Sequence, residues 1–220
     1  MLTLDRSGEA DGNSDGRSGH EKVMEPSDAD LWGRSRAGDR DAFGALFDRY
    51  ATLIYNYCFR RVGSWSTAED LLSVVFLEAW RRRGKELPSD KVLPWLYGIA
   101  TNVVRNQRRS ERRFAAALKQ MPTVEPTPDF AERAAERLDD ERRMQRALGL
   151  LGKLHPRERD VFALCSWMEL SYDDAAAALG VPVGTVRSRL SRARTHLQEL
   201  DPGIGHEQSD STTPQEAGQP

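Results

Sequence analysis

The apolar positions of this chain fall at helical spacing. Phe43, Leu46, Phe47, Tyr50, Leu53, Ile54 and Tyr57 recur every three or four residues, which predicts an amphipathic helix over 41–61. Gly63 and Ser64 break it. Ser66 with Glu69 has the spacing of a capping box and opens a second helix over about 67–83. The apolar stripe of that helix is Ala68, Leu71, Leu72, Val75, Phe76, Ala79 and Trp80, which leaves Val74 and Leu77 as apolar residues off the core side. A polar loop over 84–90 follows. A third helix over about 92–113 begins apolar and aromatic (Leu93, Trp95, Leu96, Ile99, Ala100, Val103) and ends basic, with Arg105, Arg108, Arg109, Arg112 and Arg113 against Glu111 alone. Trp95 is expected in the core.

Pro122, Pro126 and Pro128 among polar residues predict an extended linker over 114–138. Beyond it the helical pattern returns, with Leu148 and Leu151 turned inward and Pro156 starting a further helix. The most informative stretch is 171–197. Ser171 with Asp174 has capping spacing, the alanine run favours helix, and Gly180 can end it at positive φ. Pro182 fixes the start of the next helix, in which Val186, Leu190, Ala193 and Leu197 share one buried side. Thr185, Arg187, Ser188, Arg189, Arg192 and Arg194 are left facing outward. Two helices joined by a Gly-containing turn, the second arginine-rich, make a helix-turn-helix, whose second helix fits a DNA major groove.

The resulting fold class is all-α: two small helical domains joined by a flexible linker, the C-terminal one containing the helix-turn-helix, with disordered tails. The divisions are 1–28 (acidic N-terminal extension), 29–113, 114–138 (linker), 139–200 and 201–220 (C-terminal tail). The formal net charge of −2 gives no global basic signal, but charge is segregated. Residues 1–30 carry a net −5, whereas arginines gather at the end of the third helix and on the last one. Aromatics running into arginines suit single-stranded or melted nucleic acid. Cys58 and Cys165 lie far apart on apolar helical sides and read as core thiols. No cofactor or metal site is expected, no membrane span is long enough, and the missing apolar signal core predicts a cytoplasmic protein. His155 beside Pro156 reads as structural, and no set of residues supports an enzyme.

Three segments resemble the extracytoplasmic-function sigma factors of bacterial RNA polymerase: Ala68-Glu69-Asp70-Leu71-Leu72 running on through Val75-Phe76-Leu77-Glu78-Ala79-Trp80, then Pro94-Trp95-Leu96-Tyr97-Gly98-Ile99-Ala100-Thr101-Asn102, then Leu179 to Arg194. With the helices around them they span about 39–200. The resemblance implies a promoter-specificity subunit without catalysis, whose 29–113 domain is sigma region 2 and whose 139–200 domain is region 4. It implies that Asp70, Ser73, Val74 and Glu78 meet the clamp helices of the largest polymerase subunit, and that region 4 meets the flap of the second largest. It implies that Asn102, Arg105, Arg108 and Arg109, with Arg112 and Arg113 beside them, read and open the minus-ten element, and that the loop of Lys85, Glu86 and Leu87 receives a flipped base. The helix of Thr185, Arg187, Ser188, Arg189, Arg192 and Arg194 is the minus-thirty-five reader. Promoter DNA, core polymerase and an anti-sigma factor are the implied partners. Ser73, Val74 and Asn106 depart from the family's usual residues. The competing reading is a free-standing helix-turn-helix regulator, for which the 70–80 and 95–113 segments have no role.

Overall fold

The computed structural model describes residues 26–87, 91–118 and 134–200. The expected linker, 114–138, is helical at both ends, where α4 runs to Leu118 and α5 begins at Ala134; its middle at 119–133, residues 1–25 and 201–220, and the loop end at 88–90 lie outside the described residues. All regular structure within them is helical: α1 (Asp28–Arg36), α2 (Arg40–Val62), α3 (Trp65–Arg81), α4 (Val92–Leu118), α5 (Ala134–Gly152), α6 (Pro156–Phe162), a π-helical turn (Ala163–Trp167), α7 (Tyr172–Leu179) and α8 (Val183–Leu200).

Local chemistry explains most boundaries. Asp39 caps α2 by accepting from the backbone N–H groups of Asp41 and Ala42. Gly63 ends α2 at φ 67°, a conformation that costs glycine little. The cap of α3 is Ser64 and not the expected Ser66: Ser64 Oγ accepts from Thr67 N, and the helix begins two residues earlier, at Trp65. That shift lets the Trp65 ring stack on Phe59 at 3.8 Å between centroids, closing the α2–α3 corner with an aromatic pair. His155 caps α6 through Nδ1, which is its structural job. The helix from Val92 runs to Leu118, five residues past the expected end, and α1 starts at Asp28 under a Ser27 cap.

Of the stripe predicted on α3, Ala68, Leu71, Val75, Phe76 and Ala79 are buried, while Leu72 and Trp80 are half-buried. On α2 two of the seven predicted positions differ. Phe47 and Leu53 are exposed: they lie at the edge of the stripe that the neighbouring helices cover, and Phe47 still meets Phe76 edge-on at 4.7 Å between ring centroids. Trp95 is only partly buried and packs edge-on against Trp32, ring centroids 4.8 Å apart, so α1 covers it in place of the core.

The two halves of the chain meet. One apolar cluster runs from Leu31 through α2, α3 and α4 to Val161, Ala163, Leu164, Ala175, Ala176, Val186 and Leu190. A satellite of Leu151, Leu154, Ala193 and Leu197 joins α5 to α8. At two points glycine allows the approach. A Cβ on Gly98 of α4 would sit 2.4 Å from the Ala178 carbonyl oxygen of α7, and one on Gly63 would meet the Gln145 side chain of α5 at 2.7 Å. Gln145 donates to the Val62 and Gly63 carbonyls at 3.0 Å each, and Glu141 accepts from Trp65 N at 2.8 Å. Side chains of α5 thus complete the end of α2 and the start of α3.

Both cysteines are free thiols. Burial pushes Cys58 up to about 12 and Cys165 up to about 11 from an ordinary value of 9.0. A raised folded pKa means their contribution to stability is complete below the unfolded value and is lost as pH rises through the folded one. At pH 8 we expect Cys165 to react with iodoacetamide roughly 100-fold more slowly than an exposed cysteine, and both thiols to react freely in urea. Mass spectrometry of timed labelling checks this.

Candidate nucleic-acid interface

The helix-turn-helix is built as its sequence suggests. Ser171 Oγ accepts from Asp174 N at 3.1 Å and its hydroxyl donates to the Asp174 carboxylate at 2.7 Å, starting α7. Gly180 ends α7 at φ 63° and donates to the Ala176 carbonyl. The Pro182 carbonyl then accepts from Thr185 N at 2.9 Å and from Val186 N at 3.2 Å, which starts α8. Val186, Leu190, Ala193 and Leu197 are buried, and this fixes the rotation of α8. Arg187, Ser188, Arg192 and Arg194 are therefore exposed, with Thr185 and Arg189 half-buried. Two of the arginines have neighbours: Arg187 lies over the Tyr172 ring at 5.7 Å, and Arg192 Nε is 3.4 Å from the Glu158 carboxylate. The result is a helix anchored by its apolar side that offers guanidinium groups outward, which suits phosphate and guanine edges alike.

On α4 the basic residues divide into two groups. Arg109, Arg112 and Arg113 are exposed, as is Asn102. Arg105 and Arg108 instead turn inward. Arg105 donates to one oxygen of Asp160 from Nε at 2.8 Å and lies 2.7 Å from it through Nη2. The other Asp160 oxygen accepts from Arg61 Nη2 at 2.5 Å. Arg61 and Asp160 are 2% and 1% exposed, so this is a buried pair formed between α2 and α6. Arg61 Nη1 also donates to Tyr57 Oη at 3.0 Å. The Thr101 hydroxyl is spent on the Tyr97 carbonyl at 2.8 Å, so the 2.7 Å Tyr57–Thr101 bond has Tyr57 as donor. Arg108 donates to the Arg61 carbonyl, and burial together with the charges of Arg61 and Arg159 pulls its guanidinium down to about 10. It remains charged near neutral pH. Several guanidinium groups thus surround a single buried carboxylate.

The remaining expected residues lie on the other side of α4. Asp70, Ser73 and Val74 are exposed on α3, and Glu78 is held half-buried by Arg81 and Arg82, which lower its pKa. Val74, Glu78, Leu71, Ile99, Asn102 and Val103 line one groove between α3 and α4, so the surface expected to meet a protein adjoins one expected to meet DNA. In the loop, Lys85 and Glu86 are exposed and Leu87 is half-buried. The Trp32 Nε1–H donates to the Lys85 carbonyl at 3.1 Å and Arg36 pairs with Glu86 at 3.1 Å, so α1 holds this loop from outside the motif. Sequence reasoning missed Arg61, Asp160 and Trp32. All three act on residues distant in sequence, and no local spacing marks them.

Each half of the chain matches a family model. Residues 46–114 match the model of sigma-70 region 2 and residues 141–197 that of sigma-70, region 4. The chain is 34% identical over 170 residues to the RNA polymerase sigma factor CarQ of Myxococcus xanthus, covering 76% of this chain and 93% of that one. It is 32% identical over 166 residues to the ECF RNA polymerase sigma factor SigL of Mycobacterium tuberculosis, covering 71% and 89%. The chain belongs to the extracytoplasmic-function sigma factors of bacterial RNA polymerase. The sigma factor RpoE of Bartonella quintana, solved in complex with the anti-sigma factor NepR, has a similar structure, with a TM-score of 0.53 and 25% identity over 72% of this chain and 95% of that one. The free-standing regulator reading is thereby set aside: both halves of this sigma factor carry the family's regions. No helix among the described residues is long and apolar enough to cross a membrane.

The cap on α7 sets how α8 is presented. Ser171→Ala is expected to cost about 1 kcal/mol of stability, read by urea unfolding, since it removes the acceptor for Asp174 N.

Proposed function

We propose that this sigma factor binds core polymerase through α3 and reads promoters with α8 and α4. The observation that carries the reading is the α8 surface. A helix pinned on its apolar side leaves Arg187, Ser188, Arg192 and Arg194 exposed, with Thr185 and Arg189 half-buried beside them, at the spacing of a major-groove reader. We assign them to the minus-thirty-five element. Asn102, Arg105, Arg108, Arg109, Arg112 and Arg113 serve the minus-ten element, where the opened strand needs cations for its phosphates and aromatic surface for its bases. Lys85, Glu86 and Leu87 form the loop that receives a flipped base, a step costing a few kcal/mol of unstacking that the protein must offset. Asp70, Ser73, Val74 and Glu78 face the clamp helices of the largest polymerase subunit, and region 4 faces the flap of the second largest. Exposed Val74 and Leu77 support that docking surface, since apolar side chains at 43% and 49% exposure on one helix suit a protein partner. An anti-sigma factor, the kind of partner seen with the Bartonella quintana sigma factor, holds it in check in the cytoplasm. The protein itself performs no chemistry and needs no cofactor or metal.

The direct test is transcription in vitro with sigma-free core polymerase and a pool of genomic promoter fragments. New start sites sharing two spaced upstream elements are the expected result; no transcripts from any fragment would overturn the reading. Within that assay, Arg187→Ala and Arg189→Ala should weaken and blur selection at the upstream element, by roughly 1–3 kcal/mol wherever the arginine pairs with a base through two hydrogen bonds. Val74→Asp should weaken binding to core polymerase by at least about 10-fold, equivalent to about 1.4 kcal/mol, with the unfolding midpoint unchanged. Titration of labelled core enzyme separates the two.

A further inference from the structure

The contacts between the two halves occupy residues that promoter opening needs. Arg105 is spent on Asp160 and Arg108 on the Arg61 carbonyl, so neither is free for DNA in this arrangement. Asp160 belongs to α6, in the other half of the chain. It reaches a pocket whose floor is Arg61 of α2 and whose wall is Arg105 and Arg108 of α4. The pocket holds more positive charge than one carboxylate balances, and the buried Arg61 Nε has no hydrogen-bond partner among the described residues. A carboxylate and a phosphodiester present the same kind of acceptor oxygens to guanidinium groups. Around this pair the halves share an apolar cluster that includes Val161, Leu164, Ala175 and Ala176, bordered by polar bonds that water can replace: Lys91 with Asp174 at 2.8 Å, Arg60 with the Trp167 carbonyl at 3.0 Å, and Gln145 with the end of α2. The stretch 119–133 joins the halves and can reach at most ~50 Å if extended, so separation does not break the chain.

We propose that the packing of the two halves is a resting form of the free sigma factor, latched by Asp160, whose carboxylate fills an arginine pocket of α2 and α4 that takes a phosphate of the opened promoter strand when the halves part. The inference rests on assigning α4 to the minus-ten element, and adds to it Arg61 as a phosphate ligand and α6 as the competitor. Opening exchanges one anion for another, so the arginines are never left buried without a counter-charge.

Two variants of the full chain test it by different routes. Asp160→Asn removes the competing charge. Gly98→Ala changes no charge and places a methyl group against the Ala178 carbonyl, wedging α4 from α7. Small-angle scattering reads compaction, and fluorescence anisotropy reads binding to a single-stranded oligonucleotide of non-template polarity over a range of salt. Both variants are expected to enlarge the radius of gyration and to tighten oligonucleotide binding about 10-fold. The salt slope of log K should steepen by about 0.7 for each phosphate gained. Adding Arg61→Gln to Asp160→Asn should abolish the gain. Circular dichroism verifies folding, and if Asp160→Asn fails to fold, Gly98→Ala decides. Expansion without tighter binding would overturn the phosphate pocket. Variants as compact and as weakly bound as the parent would overturn the latch. Wild-type transcription with core polymerase, measured separately, tells either result from failure of the promoter assignment.

Discussion

A charge cannot be left alone in a protein interior, and Asp160 is 1% exposed. That single constraint fixes how the two halves of this sigma factor sit. A buried carboxylate needs cations in good geometry, since an unmatched ion costs several kcal/mol. Here Arg61 and Arg105 supply them from two different helices. The pair in turn orders what lies behind it: Arg61 holds Tyr57, Tyr57 donates to Thr101, and Thr101 closes on the Tyr97 carbonyl. The position of α6 is therefore set by polar matching, and the neighbouring helices must come close enough to allow it. Gly98 and Gly63 are where they do so.

The rest of the interface has the character of a reversible contact. Helix ends need partners for their free N–H and C=O groups, and α5 provides them through Gln145 and Glu141. Water can take over each of those bonds when the halves separate, at little net cost. Apolar burial across the boundary is real, with Leu164, Ala175 and Val161 in the shared cluster. Contacts between domains that are rich in polar pairs permit relative motion more readily than broad apolar ones do. The ion pair fixes how the halves register, while the shared apolar cluster supplies the burial between them.

The parts that are legible in the sequence are those governed by local rules. Helical spacing marks the buried side of α8 residue by residue, and that of α3 at all but Leu72 and Trp80, which are half-buried. Ser171 and Gly180 mark the limits of α7 because caps and positive φ select few residue types. Spacing alone points to Ser66 as the cap of α3, because two serines two residues apart both fit the pattern, and only the stacking of Trp65 on Phe59 chooses Ser64. The same limit explains Leu53 and Phe47. Period 3.6 says which residues share a side, not whether another helix covers it. Asp160 is illegible for a deeper reason. In sequence it is one more charged residue in Arg-Glu-Arg-Asp, and its burial depends on Arg61, ninety-nine residues away. Arg105 and Arg108 stand out as basic residues, but spacing cannot reveal that the packing of the two halves already engages them.

The two basic surfaces consequently differ in readiness. On α8 Arg187, Arg192 and Arg194 are exposed and Arg189 is half-buried, with Tyr172 and Glu158 among their neighbours, so duplex DNA can be met there without parting the two halves. On α4 Arg105 and Arg108 are already engaged, so under the proposed minus-ten assignment the opened strand would have to displace a carboxylate to reach them. Linking a ready site to a withheld one makes the second contact depend on the first, because the chain that joins them raises the local concentration of DNA at α4 once α8 is bound. The docking of polymerase proposed for α3 would act in the same direction, since that helix packs against α4 and adjoins the groove that contains Asn102. A latch of this kind needs no long-range signal through the core. It requires only that core polymerase and promoter together supply more binding energy than the buried ion pair and its surrounding bonds hold in reserve.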